Sequence, residues 1–103
     1  MAAQGRVDPI MAESICRLET GHGTSEAFTE LNNFGGMTGS EGIMSFETKE
    51  EGLEAYIRML EWYYDDGLDT VEEIAERYCP ANKEEWIKLV SQLYAECASG
   101  AYD

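Results

Sequence analysis

Residues 8–25, DPIMAESICRLETGHGTS, set the pattern on which the fold prediction rests. Asp8 is a preferred helix-capping residue and Pro9 suits the first position of a helix, so together they predict where a helix begins. The apolar side chains then recur every three or four residues, which is the spacing of one buried helix face. They are Met11, Ile15 and Leu18. Glycines at positions 21 and 23 predict that this helix ends near residue 20.

Similar start signals recur along the chain and predict four further helices. In most of them a Ser, Thr, Asp or Asn stands three residues before a glutamate, as in a capping box. The predicted caps are Thr24 or Ser25, Thr48, Asp69 and Asn82. Residues 34–47 instead hold four glycines and no helical period, which indicates a small irregular lobe with a β-hairpin. The prediction is a mainly α domain of about five helices, spanning residues 1–103, with this lobe between the second and third helices.

The composition limits the classes of function. The 103 residues include 21 Asp and Glu against 7 Lys and Arg, which gives a formal charge of -14. A surface with this charge repels phosphate backbones, so nucleic-acid binding is not expected. No apolar run reaches the ~20 residues of a membrane-spanning helix, so no membrane partner is expected. The first fourteen residues contain no readable signal peptide.

The cysteine and histidine content argues against a metal site. The three cysteines share no CxxC spacing, and His22 is the sole histidine. A zinc site therefore lacks a ligand set, and neither a metal nor another cofactor is predicted. The cysteines are Cys16, Cys79 and Cys97. Their number fits either one disulfide with a free thiol or three packed, reduced thiols.

Glu19 is the first candidate for a catalytic group. It follows Ile15 by one helical turn, at the margin of the buried face and at the C-terminus of the helix. Burial and the negative end of the helix dipole both disfavour its ionised form. A carboxylic acid that stays protonated near neutral pH can give its proton to a leaving-group oxygen. Gly21 and Gly23 leave the neighbouring backbone bare, which would let a bulky polymer approach.

Four segments, taken in order, resemble the motifs of a known enzyme family. They are ETGHGTS at 19–25, NNFGG at 32–36, FETKEEG at 46–52 and YCP at 78–80. Together they resemble the bacterial and phage glucosaminidases of glycoside hydrolase family 73, within the lysozyme-like superfamily, over about residues 8–90. The resemblance implies a lysozyme-like fold and an endo-β-N-acetylglucosaminidase that cleaves the β-1,4 bond after N-acetylglucosamine in peptidoglycan. It also implies action at the bacterial cell wall, after secretion or phage delivery, without a cofactor.

The same resemblance assigns roles to individual residues. Glu19 matches the general acid of the family, and Tyr78 matches a tyrosine that lies near the acid and positions the sugar or stabilises developing positive charge. The residues expected to contact the glycan are His22, Asn33, Phe34 and Gly35.

The second carboxylate is less defined. An inverting hydrolase needs a base ~6.5–9.5 Å from the acid, and a retaining one needs a nucleophile at ~5–5.5 Å. Glu41, at the expected hairpin tip, is the first choice and Glu47 the second. A third route needs no second carboxylate, because the acetamido oxygen of the substrate can attack the anomeric carbon.

Two alternatives to hydrolysis stay open at this point. One is lytic transglycosylation, which uses the acid but no water-activating base. The other is a non-catalytic domain of the same fold that binds a glycan or a basic protein. The charge of -14 gives no electrostatic steering toward anionic peptidoglycan. An attached basic wall-binding domain, a neutral glycan substrate, or a domain that binds without cutting would each account for it.

Overall fold

The first helix begins where Asp8 and Pro9 predict it. The computed structural model describes residues 7–40 and 42–101. Helix α1 spans Pro9–Thr20, and Asp8 Oδ1 accepts a hydrogen bond from the Ile10 N–H at 2.9 Å. Gly21 ends the helix in the left-handed conformation, with φ of 57°. The cap, the helix and its end therefore follow the local sequence.

The other elements confirm a mainly helical fold with a small β lobe. The further helices are α2 (Glu26–Leu31), α3 (Lys49–Asp65), α4 (Val71–Tyr78) and α5 (Lys83–Ala98). A 3₁₀ turn at Pro80–Asn82 joins the last two helices. The lobe holds two antiparallel strands, β1 (Thr38–Gly39) and β2 (Gly42–Ile43). The predicted count of five helices and the position of the lobe are both confirmed.

The start of α4 lies one residue later than predicted. Thr70, not Asp69, is the cap, and its hydroxyl accepts from the Glu73 N–H at 3.2 Å. The Glu73 carboxylate accepts from the Thr70 N–H in return, at 3.3 Å. Asp69 with Glu72 and Thr70 with Glu73 have the same spacing in the sequence, and the reciprocal pair of hydrogen bonds selects the second.

The two strands occupy only residues 38–39 and 42–43 of the lobe predicted at 34–47. The Met44 N–H still follows their register and donates to the Met37 carbonyl at 3.0 Å, but the Phe46 N–H donates to the Leu31 carbonyl at 2.9 Å. The chain therefore leaves the ladder and is held against the end of α2. This path carries it directly into the Thr48 cap of α3.

The core lies between α1, α3, α4 and α5. Tyr56 and Leu60 of α3 are fully buried, as are Ile15 of α1, Ile74 of α4 and Val90 of α5. Helix α1 packs mainly on α5. All three cysteines are free thiols. Among the described helices, none is both long enough and apolar enough to cross a membrane.

Candidate active site

The Glu19 carboxyl group is held between two elements distant in the sequence. It lies in the last turn of α1 and is half-buried. Its Oε2 accepts a hydrogen bond from the Trp86 indole Nε1 of α5 at 3.1 Å. Its Oε1 lies beside Gly36, where an added Cβ would come within 3.3 Å of that oxygen. Burial raises the pKa of Glu19 above its ordinary value, and the Trp86 hydrogen bond opposes part of that rise.

This arrangement distinguishes the two carboxyl oxygens. An indole N–H can only donate, so Oε2 must act as an acceptor. Oε1 is then the oxygen better placed to carry the proton in the acid form. Because Oε1 is the one beside Gly36, the transferable proton lies on the side of the NNFGG segment.

Tyr78 belongs to the same cluster. Its ring stacks on the Trp86 indole, with centroids 5.4 Å apart and planes inclined by 26°. Its hydroxyl donates a hydrogen bond to the Gly35 carbonyl. Burial, and secondarily the charge of Glu19, hold the pKa of Tyr78 well above its ordinary range, so the phenol stays neutral. Trp86 thus contacts two of the residues predicted to be catalytic, Glu19 by a hydrogen bond and Tyr78 by stacking.

The two glycines of NNFGG, Gly35 and Gly36, are each required by the structure for a different reason. A Cβ at Gly35 would lie 2.6 Å from the Tyr78 hydroxyl and 2.7 Å from a ring carbon of Tyr56. Gly36 has a φ of 65°, which disfavours other residues, and it borders Glu19. Backbone rather than side chain therefore forms the surface next to the acid. The sequence predicts that role for Gly21 and Gly23, which instead form the turn that ends α1.

A groove of about 740 Å³ opens next to this cluster. The lobe contributes Gly35, Gly36, Met37, Thr38 and Met44 to its lining, and the other lining residues belong to α3 and α4. The residues contributed by α3 and α4 beyond Tyr78 are Ala55, Arg58, Met59, Trp62, Tyr63 and Arg77. Glu19 is not among the lining residues, but its Oε1 lies beside Gly36, which is one of them.

The resemblance implies that Asn33 and Phe34 contact the glycan, but in the structure both side chains are buried. The Asn33 amide is fully buried, and its four hydrogen bonds go to backbone groups of its own lobe. Its Oδ1 accepts from the N–H groups of Gly35 and Met37, and its Nδ2 donates to the carbonyls of Met37 and Met44. An amide used in this way has no group left for a sugar hydroxyl.

Phe34 is a core residue in the structure. It is 8 % exposed and packs edge-on against Phe28, with centroids 4.9 Å apart, and roughly parallel to Tyr56 at 6.3 Å. Neither residue lines the groove, and Phe34 instead borders the surface depression next to His22. Of the NNFGG segment, Gly35 and Gly36 are the residues that line the groove.

His22 lies away from the groove. It is exposed in the turn after α1, with a φ of 59°, and its Nδ1 is 3.4 Å from Arg17 Nη1. It borders two other surface depressions, one against Phe28 and one against α5. The structure does not bring His22 together with Glu19, Tyr78 and Gly35 in one site.

The second carboxylate is not found among the described residues at the groove. Glu41 lies outside the described residues. Glu47 is exposed and does not line the groove. Within residues 7–40 and 42–101, the groove lining contains no acidic side chain. The same part of the chain contains no group of three or more His, Cys, Asp or Glu residues that could hold a metal ion.

No protein-family model, curated protein or solved structure matches this chain. A function for it has to be argued from its own geometry.

Three residues of the site, Arg58, Arg77 and Trp86, were not selected from the sequence as functional. For Trp62 the sequence allows two interpretations, a platform for a sugar ring on the cleft wall or a contact with a neighbouring helix. Trp86 reads as one position of the buried stripe of α5. A buried indole N–H needs an acceptor, so Trp86 in an acid-rich chain is a signal for a carboxylate partner. Nothing in the sequence around Arg58 or Arg77 indicates a functional role, because the groove that they share forms only when α3 and α4 pack together.

Proposed function

We propose that this chain is a glycoside hydrolase that cleaves a β-1,4 bond after N-acetylglucosamine in peptidoglycan or a related glycan, with Glu19 as the general acid. The observation that carries the proposal is the Glu19 carboxyl group itself. Its Oε2 accepts a hydrogen bond from Trp86, and its Oε1 lies beside Gly36, which lines the groove. Burial favours the protonated form of the carboxyl group. The order of the ETGHGTS, NNFGG and YCP segments supports the choice of substrate class.

The proposed chemistry begins with proton transfer from Glu19 Oε1 to the glycosidic oxygen. The bond from that oxygen to the anomeric carbon breaks as positive charge develops on the sugar ring. Tyr78 is neutral and lies at the groove, so its phenol can meet the sugar without adding a negative charge. The groove volume of about 740 Å³ falls within the ordinary range of ligand pockets, roughly 300–1,000 Å³.

The decisive variant is Glu19→Gln. It keeps the side-chain shape and an oxygen that can accept from Trp86, but it removes the proton donor. We expect the release of reducing ends from purified cell walls to fall by roughly 10²–10⁴-fold, the usual contribution of a general acid. Glu30→Gln, on the exposed side of α2, is the matched control and should cleave at the wild-type rate. Full activity in Glu19→Gln would exclude the assigned role.

Lytic transglycosylation is the second candidate, and one observation favours it. The described residues place no acidic side chain in the groove lining, and this reaction needs an acid but no separate base to activate water. Mass spectrometry of the released fragments separates the two reactions. Reducing ends that incorporate solvent oxygen support hydrolysis, whereas 1,6-anhydro ends identify transglycosylation. Binding of the glycan without either product would instead indicate a non-catalytic glycan-binding domain.

A further inference from the structure

The part of the groove lining that α3 and α4 contribute has a charge unlike that of the rest of the chain. Acidic residues outnumber basic ones by 21 to 7 in the sequence. The groove lining nevertheless contains two arginines, Arg58 and Arg77, and among the described residues no aspartate or glutamate. Two of seven basic residues therefore meet in one concave surface.

Arg77 contacts three neighbouring side chains at this surface. Its guanidinium carbon lies 5.5 Å from the centroid of the Trp62 ring and 5.2 Å from that of Tyr63. Its Nη1 donates to Asp66 Oδ2 at 2.9 Å. A guanidinium has five N–H donors, so this one bond leaves further donors for a ligand. The Arg77 side chain is 39 % exposed, which keeps it accessible.

Arg58 and Trp62 complete the surface. They are one helical turn apart on the exposed face of α3, and both line the groove. Arg58 forms an ion pair with Glu54, and the two side chains are 72 % and 71 % exposed. Such surface pairs contribute little, so a ligand anion can replace Glu54 at small cost. Trp62 is 61 % exposed and offers a flat apolar face between the two arginines and the apolar lining residues Ala55, Met59 and Tyr63.

We propose that Arg58, Trp62 and Arg77 form a binding subsite for a carboxylate-bearing sugar unit of the glycan. The indole face packs against the apolar side of the ring, and the two guanidinium groups bind the carboxylate. Guanidinium groups match carboxylates in geometry and form stronger hydrogen bonds with charged than with neutral oxygens. The identification of the ligand as a glycan rests on the proposed function, whereas the preference for an anion rests on the groove itself.

The subsite also accounts for the charge of the chain. A net charge of -14 does not attract an anionic polymer from a distance. Selectivity for such a polymer must therefore come from short-range contacts inside the groove. Two arginines in an otherwise acidic surface provide those contacts at one place, and they fix which end of the ligand lies there.

The test measures binding by calorimetry to wild type and to Glu19→Gln, which cannot cleave by the proposed route. Three tetrasaccharide probes are compared. The first is neutral and contains N-acetylglucosamine alone. The second alternates N-acetylglucosamine with N-acetylmuramic acid and carries free lactyl carboxylates. The third is the alternating tetrasaccharide with stem peptides attached, so its carboxylates lie on the peptides.

We expect at least one anionic probe to bind about tenfold or more tightly than the neutral probe, the effect of one charge-assisted hydrogen bond. Preference for the second probe identifies the lactyl carboxylate, and preference for the third alone identifies the peptide. Arg77→Met and Arg58→Met should each reduce the preference and leave the affinity for the neutral probe within about twofold of wild type. Arg77→Lys should restore only part of it, because lysine lacks the planar fork.

Lys88→Met is the matched control, since it removes an exposed cation from α5 outside the groove. It should keep the full preference for the anionic probe. Equal affinity for all three probes, no binding of any of them, or an equal loss of all affinities in Arg77→Met would overturn the proposed subsite. Cleavage by the wild type without a preference for anionic probes would refute the subsite and leave the proposed hydrolase function standing. Anion-selective binding without any cleavage by the wild type would support the subsite and refute the hydrolase function.

Discussion

The two sides of the groove are built in different ways. On the acid side, which comprises Glu19, the Asn33–Gly36 segment, Tyr78 and Trp86, most side chains are buried and their polar atoms are paired within the protein. On the arginine side, which comprises Arg58, Trp62 and Arg77, the side chains are exposed and their ion pairs lie at the surface. The acid side is fixed before any ligand arrives, whereas the arginine side can adapt to one.

Under the proposed function, this difference corresponds to two separate roles: one side transfers the proton and the other binds the substrate selectively. Proton transfer requires a donor held at a defined position, and the tightly packed acid side provides one. Selection among glycans tolerates movement, so exposed arginines on a helix face are adequate. The comparison predicts that changes on the acid side alter stability first and that changes on the arginine side alter binding alone.

Gly52→Ala should produce the largest loss of stability. A Cβ at this position of α3 would lie 1.8 Å from the Asn32 carbonyl oxygen, a distance that no rotamer can relieve. Either α3 or the Asn32 turn, which supports the acid side, must move. We expect the free energy of unfolding to fall by about 3 kcal/mol or more in urea denaturation. Gly39→Ala is the control, because its Cβ would meet only the flexible Met44 side chain at 3.6 Å. Equal stability of the two variants would contradict the close contact.

Asn33→Ala should have the next largest effect. The change removes four hydrogen bonds and leaves backbone groups of the lobe without partners. Unpaired buried groups cost about 1–3 kcal/mol each, and partial access of water reduces the sum, so a loss of about 2–3 kcal/mol is expected. Asn82→Ala is matched to it, since Asn82 caps α5 without a side-chain hydrogen bond, and it should change the unfolding free energy by less than about 0.5 kcal/mol. Sugar binding that is lost in Asn33→Ala without loss of stability would restore the direct role predicted from the sequence.

Features set by neighbours in the sequence could be predicted, and features set by packing could not. Asp8 and Ser25 cap their helices as expected, because a cap depends on residues two or three positions away. The fate of Asn33 and Phe34 depends on where the chain goes next: residues 37 and 44 return to the Asn33 amide, and Tyr56 covers Phe34. The NNFGG segment does contribute to the groove, through Gly35 and Gly36, but the burial of Asn33 and Phe34 was not predicted.

The candidate site shows the same limit. Glu19 could be selected because its place at the end of a helix face is a local property. Its partner Trp86 is 67 residues away, and the arginine side exists only because α4 packs beside the exposed face of α3. Neither the contact between Glu19 and Trp86 nor the packing of α4 beside α3 can be predicted from the spacing of residues in the sequence. A single sequence can therefore identify the acid but not its surroundings.

Trp86→Phe should give the smallest of these effects, a change in the titration of Glu19. The Trp86 hydrogen bond favours the carboxylate, so its removal should raise the pKa of Glu19 further above the ordinary value. Titration of the Glu19 side-chain carbon by NMR measures the midpoint directly, and the alkaline limit of wall cleavage should move upward with it. Trp62→Phe is the matched exchange on the arginine side and should leave the Glu19 midpoint unchanged.

The same variant tests how Glu19 couples to folding. Because its pKa is raised in the folded protein, its contribution to stability is fully present below the unfolded-state pKa, about 4.3, and is lost as the pH rises through the folded-state pKa. Trp86→Phe should extend this loss to higher pH, and Glu19→Gln should abolish it. Melting temperatures of the wild type and of both variants, measured between about pH 4 and pH 8, show how stability changes with pH in each protein. If Trp86→Phe lowered the midpoint instead, the indole would not be stabilising the ionised acid, and the assignment of the proton to Oε1 would fail with it.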